Sequence, residues 1–298
     1  MRCGFASNRR LSPVMAMSEA AAAWAGRRGA SPWPFFVVVF AWSWSFWIAA
    51  AVLGLSARTL WGQGLELAGL LGPMLGGIAF THLTQGSQGR RDYWRRIVDA
   101  RRISASWYAV ILLFAPVLWG LAALVDVAAG NAMALSQIGH AMSSAVATPA
   151  TALSLLLWTL LFGPIPEELG WRGYALDSLQ AGSTAVRASL ILGAIWGLYH
   201  LPLFYLVGTY HAAQGPWSLW FWLFLVQVIP VTIVFTWIFN NTRRSTLAAI
   251  LLHFMINLTA QLANLTGRTN IIVTALWLVA AVVVVALFGT ATLRRARS

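Results

Sequence analysis

The chain contains no lysine, one cysteine and very little acid: eight Asp and Glu stand against twenty Arg in 298 residues. Each shortage excludes something. Charged residues make up 9% of the chain, where a soluble domain carries about 25%. So few charges cannot cover a water-facing surface, which makes this an integral membrane protein. The lone Cys3 excludes a disulfide framework and a cysteine-ligated metal cluster. The zinc-protease helix signature HExxH is absent, as is any Ser or Cys nucleophile motif. A net charge of +12 would suggest nucleic acid in a soluble protein. In a chain that is 59% hydrophobic it instead orients the spans and meets anionic head groups, with the bilayer and not nucleic acid as partner. Missing Lys alongside abundant Arg, Ala and Trp also fits the composition of a GC-rich bacterial genome.

What is present is a series of apolar runs. A bilayer core of about 30 Å needs roughly 20 apolar residues per helix. Eight runs qualify: 34–55, 66–84, 106–128, 148–164, 188–207, 218–239, 247–264 and 271–291. The expected fold is all-α and polytopic, with about eight transmembrane helices and an intramembrane polar cavity. Residues 1–33 read as a disordered cytoplasmic tail, within which Met15 or Met17 is a candidate start. The run at 35–55 is too long for the h-region of a cleaved signal. With the N-terminus in the cytoplasm, the segments 1–33, 85–105, 165–187, 240–246 and 292–298 hold eighteen Arg, and the opposite side holds only Arg58 and Arg268. That asymmetry places both termini in the cytoplasm and the protein in the cell membrane. The stretch GRRDYWRRIVDARR at 89–102 reads as a basic amphipathic segment on the inner leaflet, chiefly a topology anchor.

Charges inside spans cost roughly 2.5–3.5 kcal/mol each and usually face the protein interior. PIPEELGWRGYAL at 164–176 places Glu167, Glu168 and Arg172 just past an apolar run. Glu168 and Arg172 share a helix face and can pair; Glu167 points about 100° away. Pro164 and Pro166 suggest that one helix ends there and another begins. WGLYHLP sets Trp196 and His200 four apart, and HFMIN sets His253 and Asn257 four apart. Counted from the cytoplasmic ends of their spans, His200 lies roughly 18 Å deep and His253 roughly 10 Å. Taken singly, each group has a plain structural reading: a surface ion pair, a core histidine bonded to a carbonyl, an interhelical amide bond. Taken together, their agreement in depth points to one hydrated cavity, expected to open to the cytoplasm. Glu66, His82, Asp126, His140, Asp177 and His211 fall near span ends or loops and read as interface residues.

Such a cavity suits hydrolysis. Glu167 can act as general base on water and one His can share that water. The other His and Asn257 can donate to an oxyanion. A divalent metal such as zinc, with Glu167, His200 and His253 as ligands, is an equally open alternative. The three motifs, Glu-Glu-x-x-x-Arg (167–172), aromatic-x-x-x-His (196–200) and His-x-x-x-Asn (253–257), resemble in order and spacing the CPBP family, the CAAX prenyl proteases and bacteriocin-processing enzymes also called Abi. The resemblance implies an eight-helix intramembrane endopeptidase, a family often described as metalloproteases although a metal-independent glutamate mechanism is also argued. It implies Glu167 as base, His200 positioning the water, His253 with Asn257 binding the oxyanion, and Glu168, Arg172 and Trp196 in support. The family's second motif usually begins with Phe where this chain has Trp196.

The expected organisation is a tail at 1–33, three helices over 34–148, a catalytic core over 149–265, and a last helix with a basic tail over 266–298. The implied substrate is a membrane-associated peptide or protein cut near the cytoplasmic face. Prenylation is uncommon on bacterial proteins, so a CAAX substrate is not expected. The competing readings are a non-catalytic immunity or scaffold protein of the same fold, and a transporter. A transporter should show an internal repeat, and spans 1–3 carry no counterpart of the motifs.

Overall fold

The computed structural model describes residues 31–131, 139–140, 142–263 and 267–294. Most of the expected N-terminal tail, including Cys3 and both candidate start methionines, lies outside the described residues, as does the end of the C-terminal tail. Among the described residues the chain is helical, with no strand. Eight segments are long and apolar enough to cross a membrane: α1 (Trp33–Val52), α2 (Leu60–Thr84), α3 (Ala105–Ala128), α4 (Pro149–Gln180), α5 (Ala185–Phe204), α6 (Leu219–Asn241), α7 (Thr246–Ala263) and α8 (Gly267–Phe288).

The main departure from expectation is α4. It does not end near residue 164 but runs on to Gln180. The Thr148 hydroxyl accepts from the Thr151 N–H while the Thr151 hydroxyl accepts from the Thr148 N–H, a reciprocal cap that starts the helix at Pro149. The ladder breaks only at Phe162–Gly163, resumes at Pro164–Gly170, and passes through one wide π turn at Trp171–Ala175 before Leu176–Gln180. One helix thus ends at Leu161 and another begins at Pro164, as the prolines suggested, with Pro164 in a first turn that needs no backbone donor; what was not expected is that the second helix carries the span on to Gln180. Pro202 also ends a helix: regular α5 stops at Tyr199 and continues as a 3₁₀ turn, Leu201–Phe204.

Small residues let α2 reach α4. A Cβ on Gly77 would stand 2.4 Å from the Leu169 carbonyl oxygen, and one on Gly170 would stand 2.4 Å from that of Pro73. Backbones this close need glycine, a common device where apolar helices associate in lipid.

The Arg-rich segments gather at one end of the bundle. The surface helix Ser87–Val98 does more than lie on the leaflet, because its Arg96 is 2% exposed. Arg96 donates to Asp177 and to the Gly173 carbonyl. Arg244 closes on the same Asp177 through both its Nε and Nη2. Arg102 donates to Asp92 and to the Arg243 carbonyl, and Asn240 bonds Gln180 and the Thr292 carbonyl. Asp177 is thus an interface residue, as expected, and a buried one on which two arginines close. At the opposite end, Arg268 and Thr269 of α8 donate to Asp126 of α3, and the Ala57 N–H donates to the Val207 carbonyl.

Candidate active site

Three helices bring the motif residues to one place. Resumed α4 supplies the two glutamates, the end of α5 supplies Trp196 and His200, and α7 supplies His253 and Asn257. Glu167, Trp196, His200, His253 and Asn257 line a cavity of about 1300 Å³ that also touches α2, α6 and α8. Each helix contributes the half that points away from the Arg-rich end, for example Leu155–Phe162 on α4, Leu223–Val231 on α6 and Gly267–Thr274 on α8. The cavity therefore does not occupy the Arg-rich half, as depth counting from the helix starts suggested. That end is pinned by the ion pairs around Asp177, and the room appears where the helices diverge from them.

The adjacent carboxylates have different surroundings. Glu167 lines the cavity. Its Oε2 accepts from the Trp196 indole at 2.5 Å and from the Trp171 indole at 3.3 Å. Its Oε1 lies 3.9 Å from His200 Nε2. His200 Nδ1 lies 2.7 Å from the Trp196 carbonyl oxygen. A carbonyl only accepts, so Nδ1 carries the hydrogen and the neutral ring presents Nε2 as an acceptor. Two acceptors thus face one another across 3.9 Å, too far for a direct bond.

Glu168 is fully buried behind this pair. Arg172 Nη1 donates to both its oxygens at 2.9 and 3.0 Å. The guanidinium lies under aromatic faces, with Cζ 3.9 Å from the Phe235 ring centroid and 4.7 Å from that of Trp196. Stacking of this kind covers a cation that has only one carboxylate partner. His253 Nδ1 lies 2.9 Å from the same Glu168 Oε1. The ion pair keeps Glu168 an acceptor, so His253 donates through Nδ1 and turns Nε2 to other partners. Asn257, one turn along, lines the cavity. A Cβ on Gly163 would come within 3.3 Å of the Asn257 side-chain nitrogen, so the break in α4 lies directly against that amide.

The structure brings all seven motif residues together and adds two that sequence reading missed. Trp171 stands four residues after Glu167, a spacing that signals a shared helix face. His211, read as an interface residue, sits on the short helix Tyr210–Gln214 with its ring centroid 5.1 Å from that of His200. Burial among Phe204, Phe224 and His200 pushes its imidazole well below the usual range, and the neighbouring His200 adds to the shift. No local sequence signal announces that contact. On the far side, burial pulls the Arg96 guanidinium below the ordinary arginine value, with Asp177 offsetting part of the shift.

The zinc alternative requires three donors on one ion. Among the described residues no three His, Cys, Asp or Glu side chains are grouped so as to hold a metal. Ligands at about 2.0–2.2 Å from zinc in a tetrahedron stand roughly 3.3–3.6 Å apart, less than the 3.9 Å between Glu167 and His200. His253 is turned by its Nδ1 toward Glu168 rather than Glu167. Glu167, His200 and His253 as they stand therefore do not fit the tetrahedral zinc alternative.

Fold and cavity together define a polytopic, all-helical membrane protein that gathers Glu, His and Asn side chains around an intramembrane chamber. Residues 149–259 match the family described as Type II CAAX prenyl endopeptidase Rce1-like. CAAX prenyl protease 2 of Methanococcus maripaludis is 30% identical over 258 residues, which cover 85% of this chain and 93% of that protein. The chain belongs to the CPBP family of intramembrane proteases, and that homology supports peptidase activity.

Proposed function

We propose that the protein is an intramembrane endopeptidase that hydrolyses a peptide bond of a membrane-associated peptide or protein with a water activated by Glu167. The observation that carries this reading is the pair of acceptors, Glu167 Oε1 and His200 Nε2, 3.9 Å apart at the cavity wall. A water can donate one hydrogen to each at about 2.8 Å. Its oxygen then attacks the carbonyl carbon while one proton passes to Glu167. The two indole donors on Oε2 hold the carboxylate in place and leave Oε1 for the proton. The developing oxyanion receives a hydrogen bond from the Asn257 amide and lies beside the His253 ring, which Glu168 holds through Nδ1. When the intermediate collapses, Glu167 returns its proton to the departing amine.

The eighteen-to-two Arg asymmetry supports both termini being cytoplasmic, and the lack of Lys beside abundant Arg, Ala and Trp supports a bacterial plasma-membrane protein. The test is cleavage of membrane peptides by the purified full-length chain in liposomes, comparing wild type with Glu167→Gln and His200→Ala. Both variants should remain folded and lose cleavage, and full activity in either would refute the assignment. A chelator arm reports on the metal: unchanged cleavage supports direct water activation by Glu167.

A further inference from the structure

A carboxylate set away from bulk water needs a partner, because a bare charge there is costly. Asp92, Asp99, Asp126, Glu168 and Asp177 each hold at least one arginine, and Glu167 holds two indoles. Among the described residues, Glu66 is the one carboxylate whose side chain has neither a hydrogen bond nor an ion pair. It lies on α2, on the face that brings Gln63, Leu67 and Leu70 to the chamber wall. Spacings of three and four residues keep these side chains in one row. The backbone of that turn is fixed, since the Trp47 indole donates to the Glu66 carbonyl oxygen at 2.9 Å. Trp47 of α1 and Trp119 of α3, both buried, belong to the same wall. Arg58 is also on it, and among the described residues no ion pair joins Arg58 to Glu66.

Resting on the endopeptidase reading, we infer that Glu66 is a specificity-determining residue that receives a basic side chain, Arg or Lys, of the peptide substrate. Glu66 and Glu167 are the two carboxylates of the chamber. Glu167 is not free for this task, because its Oε2 accepts from two indoles and its Oε1 faces His200. Glu66 has both oxygens open to an incoming donor. A carboxylate beside leucines and indoles suits a cation carried on an apolar stem: the methylenes pack on the wall and the charged head finds its countercharge. The substrate thereby supplies the partner that the fold withholds from this one acid.

The probes are acetylated, leucine-rich octapeptide amides that carry one Arg, walked from position to position. Each has a twin in which citrulline, with the shape of Arg but not its charge, takes that place. Binding to the full-length Glu167→Gln protein in phosphatidylcholine nanodiscs is measured by calorimetry, so that no peptide is consumed. At one position or more, the Arg peptide should bind at least about tenfold more tightly than its twin. Adding Glu66→Gln should erase that difference, and adding Glu66→Arg should turn the preference toward a peptide with Glu in that place. Equal binding of the twins at every position, no binding by any of them, or a preference that survives Glu66→Gln overturns the inference. The twin comparison needs no change at Glu66, and melting temperatures report whether each variant is folded. Because the measurement needs no catalysis, charge-dependent binding without any cleavage by the Glu167 protein would sink the peptidase reading alone. Cleavage with equal kcat/KM for the twins would sink the Glu66 assignment alone.

Discussion

At the Arg-rich end of the bundle, Arg96, Asp177, Arg244, Arg102 and Asp92 form a network joining the surface helix, α4 and the α6–α7 connection. At the other end, α4 to α8 diverge around a chamber of about 1300 Å³. The boundary between these regimes passes between two consecutive residues. Glu167 faces the chamber and is held by neutral indole donors; Glu168 faces the protein and is held by Arg172 and His253. The comparison teaches how a membrane protein can keep a reactive carboxylate. The cation that would quench it is assigned to its neighbour, and the room that lets water reach it is provided by locking the helices elsewhere.

The largest effect should come from Glu167→Gln. Removing the base should lower kcat by about 10²–10⁴-fold with an unchanged melting temperature, measured by peptide cleavage and thermal unfolding in detergent. Glu168→Gln should do the reverse: it leaves Arg172 buried without its countercharge and should cost about 3–5 kcal/mol of stability. If the two variants behaved alike, the division between the carboxylates would collapse. Asn257→Ala comes next and removes a proposed oxyanion donor. It should reduce kcat by about 10²–10³-fold with little change in KM.

At the closed end, Asp177→Ala leaves Arg96 buried without its main partner and should destabilise by about 3–5 kcal/mol, while cleavage per folded molecule persists. Loss of kcat without loss of stability would show that the two ends are coupled chemically and not only structurally. Trp196→Phe restores the residue usual in the family and keeps the wall while deleting the 2.5 Å bond to Glu167. One charge-assisted bond is worth about 1.5–3 kcal/mol, so kcat should fall at least about tenfold if the bond acts in the transition state. The smallest effect belongs to Arg95→Ala, on the exposed face of the surface helix whose next residue is the buried Arg96. Cleavage and melting temperature should both stay at wild-type values.

Several features were legible before any coordinates. Eight apolar runs gave eight spans, since length and hydropathy set the crossing of a bilayer. Glu168 and Arg172 pair as their i, i+4 spacing required. The break before Pro164 was legible from the two prolines, but the run of the second helix through a π turn to Gln180 was not, because no local spacing says where that helix stops. Trp171 could have been found from its spacing to Glu167. His211 could not, because its contact with His200 depends on how the α5–α6 connection folds over the chamber. The surface helix illustrates the same limit: Arg95 and Arg96 are indistinguishable in composition, yet one faces outward and the other is buried against Asp177.

The sequence by itself determined that this chain lives in a bilayer, how many times it crosses, which end carries the positive charge, and which residue types stand ready for hydrolysis. Those properties follow from solvation, helix rise and local spacing, all of which act along the chain. Only the tertiary structure decided which glutamate is free, which His partners which carboxylate, and at which end the chamber lies. Those depend on distances between residues dozens of positions apart, set by where glycines let helices touch and where buried ion pairs hold them together.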